Sequence, residues 1–249
     1  MNFLTLPVSR PCATLLYTLL AIGAALLTLG FAFGRLDEER INRIPRANKI
    51  LSSAILVVCA LIWWLASAAG TPLAAYAALL LFGMAFSFVG DVIMAQLLPL
   101  PQHVLFGMGA FGVAHVLYIS GYLRLGGVLG LHDVRAQAAG LVALLVLAVV
   151  LWWTLIRSPQ TPAVLNYGSL GYALLLAAMA GLSVSLALQE ARFVPLALGA
   201  LLFLISDVFL GHRLFQDGTF LLVGDLIWMT YIVGQLLIVF STAIVLRLL

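Results

Sequence analysis

Charge is scarce in this sequence: 12 Lys and Arg and 9 Asp and Glu in 249 residues, or 8%. A soluble globular chain carries about 25% charged and about 45–50% apolar residues. Here 64% are hydrophobic and the mean hydropathy is +1.19. That scarcity excludes a soluble catalytic domain and a nucleic-acid-binding module. The chain has only two cysteines, Cys12 and Cys59, at or inside apolar runs and far apart, which excludes a disulfide scaffold and suggests no metal motif. There is no GxSxG elbow, no HExxH and no glycine-rich phosphate loop. The four histidines, His103, His115, His132 and His212, are scattered, and only His115 lies deep in an apolar run. Neither a metal nor a cofactor is expected.

What is present in quantity is apolar sequence. At about 20 residues per bilayer crossing, roughly 160 apolar residues suffice for about eight spans. The runs break at charges, prolines and glycines, and predict spans over 13–33, 50–69, 73–97, 102–125, 136–156, 165–188, 193–214 and 225–247. The first run is longer than the 7–15 residues of a cleavable signal and reads as a permanent span. Connections such as Gly70-Thr71-Pro72 and Pro99-Leu100-Pro101 are short, which leaves no room for an extramembrane domain. The runs are continuous rather than alternating, so a barrel is excluded and an all-α, eight-helix polytopic bundle expected as a single membrane domain. The pairs Trp63-Trp64 and Trp152-Trp153 fall towards span ends, as interfacial anchors do.

The net charge of +3 does not imply nucleic acid, because five cations, Arg35, Arg40, Arg43, Arg46 and Lys49, share the first loop, as where a membrane protein meets anionic headgroups. The positive-inside rule makes that face cytoplasmic, with seven cations against five opposite. An integral multi-pass protein of a bacterial inner or plasma membrane is expected.

Of the nine acids, six lie in or beside loops, and Asp225 is expected to cap span 8. Asp91 and Asp207 lie well inside apolar runs, where an aspartate costs about 2.5–3.5 kcal/mol on insertion scales. Both belong to odd-numbered spans, about seven residues from the span end, which predicts one depth near the loop-1 face. Gly83-Met-Ala-Phe-Ser-Phe-Val-Gly-Asp91-Val aligns without a gap on Gly199-Ala-Leu-Leu-Phe-Leu-Ile-Ser-Asp207-Val at an offset of 116 residues. Spans four crossings apart run parallel, so a duplication would relate two parallel four-helix repeats by an axis along the membrane normal.

Gly83, Ser87 and Asp91 share a helix face. Gly107, Phe111, His115, Tyr118 and Tyr122 form a stripe on span 4, and Gly224, Trp228, Tyr231 and Gln235 another on span 8. A lone intramembrane His, Tyr or Gln is most often helix-to-helix glue, but two inward carboxyls at one depth beside such stripes predict a polar cavity. Two carboxylates sharing a low-dielectric pocket resist ionising together, so one is expected to keep its proton, which makes an acid–base pair. Such a pair suits hydrolysis of a bond activated by protonation, such as an acetal, an enol ether or a glycoside. It equally suits the proton relay of a proton-coupled lipid or small-molecule transporter. A purely structural role for both acids is the third reading.

The run Phe86-Ser87-Phe88-Val89-Gly90-Asp91, followed by Phe106-Gly107, Phe111, His115 and Tyr118, resembles the lysoplasmalogenase (YhhN, or transmembrane protein 86) family. A second signature is similar over Gly199 to Phe203, Ser206-Asp207, Tyr231 and Gln235. The family's Lys-Pro at the opening of span 2 is Lys49-Ile50 here. The resemblance implies hydrolysis of the vinyl ether of lysoplasmalogens to a fatty aldehyde and a glycerophospho-ethanolamine or -choline. It implies Asp91 and Asp207 as the catalytic pair, in either order. Ser87, His115, Tyr118, Ser206, Tyr231 and Gln235 would line the substrate site, and Lys49 would hold the phosphate. The expected partners are a lysophospholipid substrate and membrane lipid. Carboxyls about two helical turns below the span ends, at about 5.4 Å per turn, match the depth of such a vinyl ether.

Overall fold

The computed structural model describes residues 6–248, and every regular element among them is helical. The helices are α1 (Arg10–Phe33), α2 (Arg46–Trp63), α3 (Ala74–Met94), α4 (His103–Leu129), α5 (Val134–Leu151), α6 (Ala163–Gln189), α7 (Val194–Gln216) and α8 (Val223–Val245). A π turn prolongs α2 over Trp64–Ala68 and α5 over Trp152–Ile156, and a 3-10 turn at Ala191–Phe193 leads into α7. Eight spans long and apolar enough to cross a membrane result. Each follows the hydropathy-based boundaries to within four residues, and the two largest departures have local causes. Helix α2 begins at Arg46 because Lys49, which reads as a loop cation, is neutralised and buried. Helix α4 runs on past Arg124 until Gly130 takes the left-handed conformation at φ 69°. Asp133 then caps α5, its side chain accepting from the N–H groups of Arg135 and Ala136.

Trp63 and Trp152 do not sit at the lipid interface as anchors: both are buried, and Trp152 Nε1 donates to Ser169 Oγ at 2.9 Å. Their neighbour Trp153 does face outward, with the Arg157 guanidinium 4.3 Å from its ring centroid.

The hairpins α3–α4, α5–α6 and α7–α8 pack most extensively, and α1 lies at the edge against α2. In α1 only 17% of the most apolar stretch is buried, so this helix is peripheral to the core.

Positions 116 residues apart sit at corresponding helix crossings, although their contacts differ in kind. Gly83 of α3 lies against the Tyr118 ring of α4, and Gly199 of α7 lies against Gly234 of α8. Gly90 faces the ring of Phe111, and Ser206 donates to the carbonyl of Ile227 at 3.0 Å. All four pairs repeat at the same offset of 116 residues. Between the halves, α8 packs on α2 as α4 packs on α6. The third helix of each half packs on the fourth and second helices of its own half; α3 also meets α8, and α7 meets α4 through the Phe203, Phe111 and His115 rings. Both aspartates lie on these third helices.

One of these crossings is backbone on backbone. A Cβ on Gly199 would lie 2.8 Å from the Gly234 carbonyl oxygen, and one on Gly234 would lie 2.7 Å from the Gly199 oxygen. Neither helix can yield without moving the whole hairpin. Gly199→Ala is expected to destabilise the bundle by about 1–3 kcal/mol, as overpacking does. Gly109→Ala, in open space, should not. Thermal unfolding of the two variants in detergent makes the comparison.

Candidate active site

Helix α3 stops early. Gln96 adopts φ 55° and Pro99 and Pro101 follow, so no helix can continue. Asp91 therefore lies three residues from the end of its helix and Asp207 nine from the end of α7, which corrects the expectation of equal distances from the span ends. Their partners restore a common depth. Ser53 is seven residues into α2, Tyr231 eight into α8 and Tyr172 nine into α6. At 1.5 Å per residue these lie roughly 10–14 Å below the helix starts on the loop-1 side.

Asp91 is buried with its Oδ2 accepting two hydrogen bonds, from the Ser53 hydroxyl at 2.5 Å and the Tyr231 hydroxyl at 2.9 Å. Behind Tyr231, the Tyr118 hydroxyl donates to Gln235 Oε1 at 2.8 Å, and Gln235 Nε2 reaches the Tyr231 oxygen at 3.5 Å. Four helices thus converge on one carboxyl. Asp207 accepts from the hydroxyl of Tyr172, whose oxygen lies 3.2 Å from His115 Nε2. With the Tyr172 proton committed to Asp207, Nε2 is the donor to the phenol oxygen. His115 Nδ1 is then a buried acceptor, and it has no hydrogen-bond partner among the described residues.

Aromatic rings separate the two networks. The Phe203 ring lies 5.0 Å from His115 and 5.1 Å from Tyr231, centroid to centroid, and Phe111 packs edge-on against both Phe203 and Tyr231.

The two acids differ in access. A narrow cleft, with about 70 Å³ of internal space within some 700 Å³ that includes its open mouth, runs between α4, α5, α6 and α7. Its wall is apolar, with Met94, Met108, Phe111, Leu176 and Leu204 among the lining, except at Ser169, Tyr172 and Asp207. Asp91 is not part of that wall. Sequence makes the two aspartates near-equivalent, whereas the tertiary structure opens the cleft on one side only.

The model of the YhhN family matches residues 48–242. The chain belongs to the YhhN family, which is the lysoplasmalogenase family. The match takes in α3 to α7, most of α2 and α8, both aspartates and all of their hydrogen-bond partners, while α1 lies outside it. No curated protein and no solved structure matches the chain.

Within this YhhN chain the residues singled out from sequence part company. Asp91, Tyr118, Tyr231 and Gln235 form one network, and Asp207 and His115 meet through Tyr172. Ser87 is buried beside the Tyr118 hydroxyl without a hydrogen bond of good geometry. Ser206 bridges α7 to α8 rather than facing the carboxyls. Ser53 and Tyr172 went unread in the sequence. The repeat holds a signal for the first, since Ser53 and Ser169 are 116 residues apart, as are His115 and Tyr231. Tyr172 has no such counterpart, its equivalent being Leu56.

Lys49 does not stand ready for a phosphate. Only 8% exposed, its ammonium lies 2.8 Å from Asp225 Oδ1, 2.7 Å from Asn42 Oδ1 and 3.2 Å from the Gly224 carbonyl. Three donors meet three acceptors. Asp225 is likewise not the cap expected of it, since Leu222 precedes the first turn of α8. Its carboxylate instead accepts from the N–H groups of Arg43, at 2.6 Å, and Ile44, at 3.2 Å, tying loop 1 to α8. Asp37 holds the other end of that loop. Burial acts to raise its pKa, but hydrogen bonds from the Asn42 side chain and from the N–H groups of Asn42 and Ile41 leave it below the usual value.

Removing one member of the buried Lys49–Asp225 pair strands the other. Asp225→Ala is expected to cost about 3–5 kcal/mol of stability. The double variant Lys49→Met, Asp225→Ala should cost less than the two single changes added together. Thermal unfolding of all four proteins completes that cycle.

Proposed function

We propose that this chain hydrolyses the vinyl ether bond of lysoplasmalogens, lysoplasmenylethanolamine and lysoplasmenylcholine, to a fatty aldehyde and glycerophospho-ethanolamine or -choline. One observation carries the reading: an apolar cleft of lipid-like character whose wall presents a carboxyl, Asp207. Membership of the YhhN family supports the same reaction class.

The chemistry needs a proton on carbon. Neutral Asp207 delivers its proton to the β-carbon of the vinyl ether, and the ether oxygen supplies the electron pair that makes an oxocarbenium ion. The cation develops beside the Asp207 carboxylate in a low-dielectric site, where electrostatic stabilisation is strongest. Water adds to the α-carbon, and its proton passes to the carboxyl pair by way of Asp207, because Asp91 lies off the cleft wall behind Phe111 and Phe203. The resulting hemiacetal collapses as its hydroxyl loses a proton and the glycerol oxygen gains one. Aldehyde and glycerophospho-base leave, and the pair returns to one proton between them. Tyr172 holds Asp207 in place and His115 holds Tyr172. Ser53 and Tyr231 fix Asp91, with Tyr118 and Gln235 behind Tyr231.

Aldehyde release from lysoplasmenylethanolamine by detergent-purified protein tests the proposal. Asp207→Asn and Asp91→Asn should each lower kcat by about 10²–10⁴, the usual share of general acid–base catalysis. Tyr172→Phe should lower it less, and all three should keep their helical circular dichroism. Intact lipid after incubation with wild-type protein would sink the hydrolase reading. Proton-driven uptake lost in the same Asn variants would replace it with a transporter.

A further inference from the structure

At the loop-1 end of the bundle a second cavity, of about 990 Å³ with its open mouth, adjoins the cleft, and Leu214 and Phe215 line both. The second cavity is polar where the first is apolar. Ser158, Gln160, Thr161, Gln216 and Asp217 surround it, on the loop between α5 and α6 and the end of α7.

These walls are built rather than frayed. Buried Asn166 grips Ser158 twice, its Oδ1 accepting from the Ser158 N–H at 3.4 Å and its Nδ2 donating to the Ser158 carbonyl at 3.1 Å. Gln216 Nε2 donates to the Arg157 carbonyl at 2.5 Å, which ties the end of α7 to the loop. The Ser158 hydroxyl donates to Gln160 Oε1 at 2.8 Å.

Asp217 is the charged group of this lining, and its position is unfavourable for the fold. It takes a left-handed φ of 52° at the C-terminal end of the 23-residue α7, where the helix dipole disfavours negative charge. Its exposed carboxylate has no hydrogen-bond or ion-pair partner among the described residues. The nearby cations are engaged elsewhere, Arg157 over the Trp153 ring and Arg213 towards Glu39 at 3.9 Å.

We infer that this vestibule seats the zwitterionic head of the lysolipid, with Asp217 facing its ammonium group; the inference rests on the vinyl ether reading of the cleft. Length supports it. Eleven bonds separate the β-carbon of a lysoplasmalogen from its headgroup nitrogen, and three extended bonds span about 3.8 Å, so the whole reaches about 14 Å. From Asp207 to Gln216 is nine residues of helix, about 13.5 Å at the standard rise. A substrate lying along α7 with its β-carbon at Asp207 therefore brings its ammonium to Asp217. The phosphate would lie at the shared mouth, near the first turn of α6, whose Pro162 and Leu165 line the vestibule and whose dipole favours an anion. This seat replaces Lys49, whose ammonium is already committed.

The test compares lysoplasmenylcholine with a 1-alkenylglycerol that lacks the head, and adds binding of the saturated 1-O-alkyl-glycerophosphocholine, which cannot be hydrolysed. Asp217→Asn suits the left-handed backbone and removes only charge. It should raise KM for lysoplasmenylcholine and Kd for the alkyl analogue about fivefold, the scale of a solvated ion pair. Its kcat, and both constants for the alkenylglycerol, should stay at the wild-type values. Asp217→Lys should weaken the zwitterion further. Unchanged KM and Kd, or equal changes for headed and headless substrates, would overturn the inference. If wild-type protein releases no aldehyde yet binds the alkyl analogue in an Asp217-dependent manner, the hydrolase reading fails and the head seat stands. Absence of binding to wild-type protein would overturn the seat as well.

Discussion

A carboxyl group inside an apolar bundle has no water to solvate it, and much of this structure follows from meeting that demand twice. Asp91 is satisfied by hydroxyls from two other helices, and Asp207 by a tyrosine whose oxygen is in turn held by a histidine. Each donor must arrive from a different helix at one depth, which fixes the relative heights of α2, α3, α6, α7 and α8. Glycine and serine at the α3–α4 and α7–α8 crossings let each hairpin close tightly, while the donors reach the acids from α2, α8 and α6. Small residues at the crossings and polar groups at the centre are therefore one solution, because loose packing would leave the acids unsatisfied.

The bundle is nearly two-fold in register, yet its use is one-sided. Corresponding helix crossings and the two aspartates recur at a constant offset. The second carboxyl lies on an open cleft and the first lies behind aromatic rings. Symmetry is broken by the side chains around the acids. Asp91 receives Ser53 and Tyr231, whereas at the matching positions stand Ser169, turned to Trp152, and His115, turned to Tyr172. The early end of α3 adds to the difference. Two acids on the third helix of each half thereby stand in unlike surroundings, which is what an acid and a base require.

Much of the candidate site was legible because cost marks it. An aspartate in an apolar run stands out by the free energy of inserting it, and a tyrosine or glutamine at helical spacing on a neighbouring span stands out beside it. Ser53 and Tyr172 escaped that logic, since a serine or a tyrosine in a span is cheap and common. Lys49 and Asp225 misled in the opposite sense. Each alone reads as a loop charge or a helix cap. Their pairing across 176 residues of chain is invisible until α2 and α8 are neighbours, and once paired both can be buried.

Composition and period by themselves determined that the chain is an eight-span helical bundle and that two acids lie within it. Hydropathy is a local quantity, and an alternating bundle follows from the number of runs and the shortness of their connections. Only the tertiary structure decided which helices flank each acid, that Asp207 alone of the two meets an open cleft, and that the first-loop lysine is locked to Asp225. Those outcomes depend on which faces of distant helices are pressed together, and side-chain hydrogen bonding chooses among faces that hydropathy leaves equal.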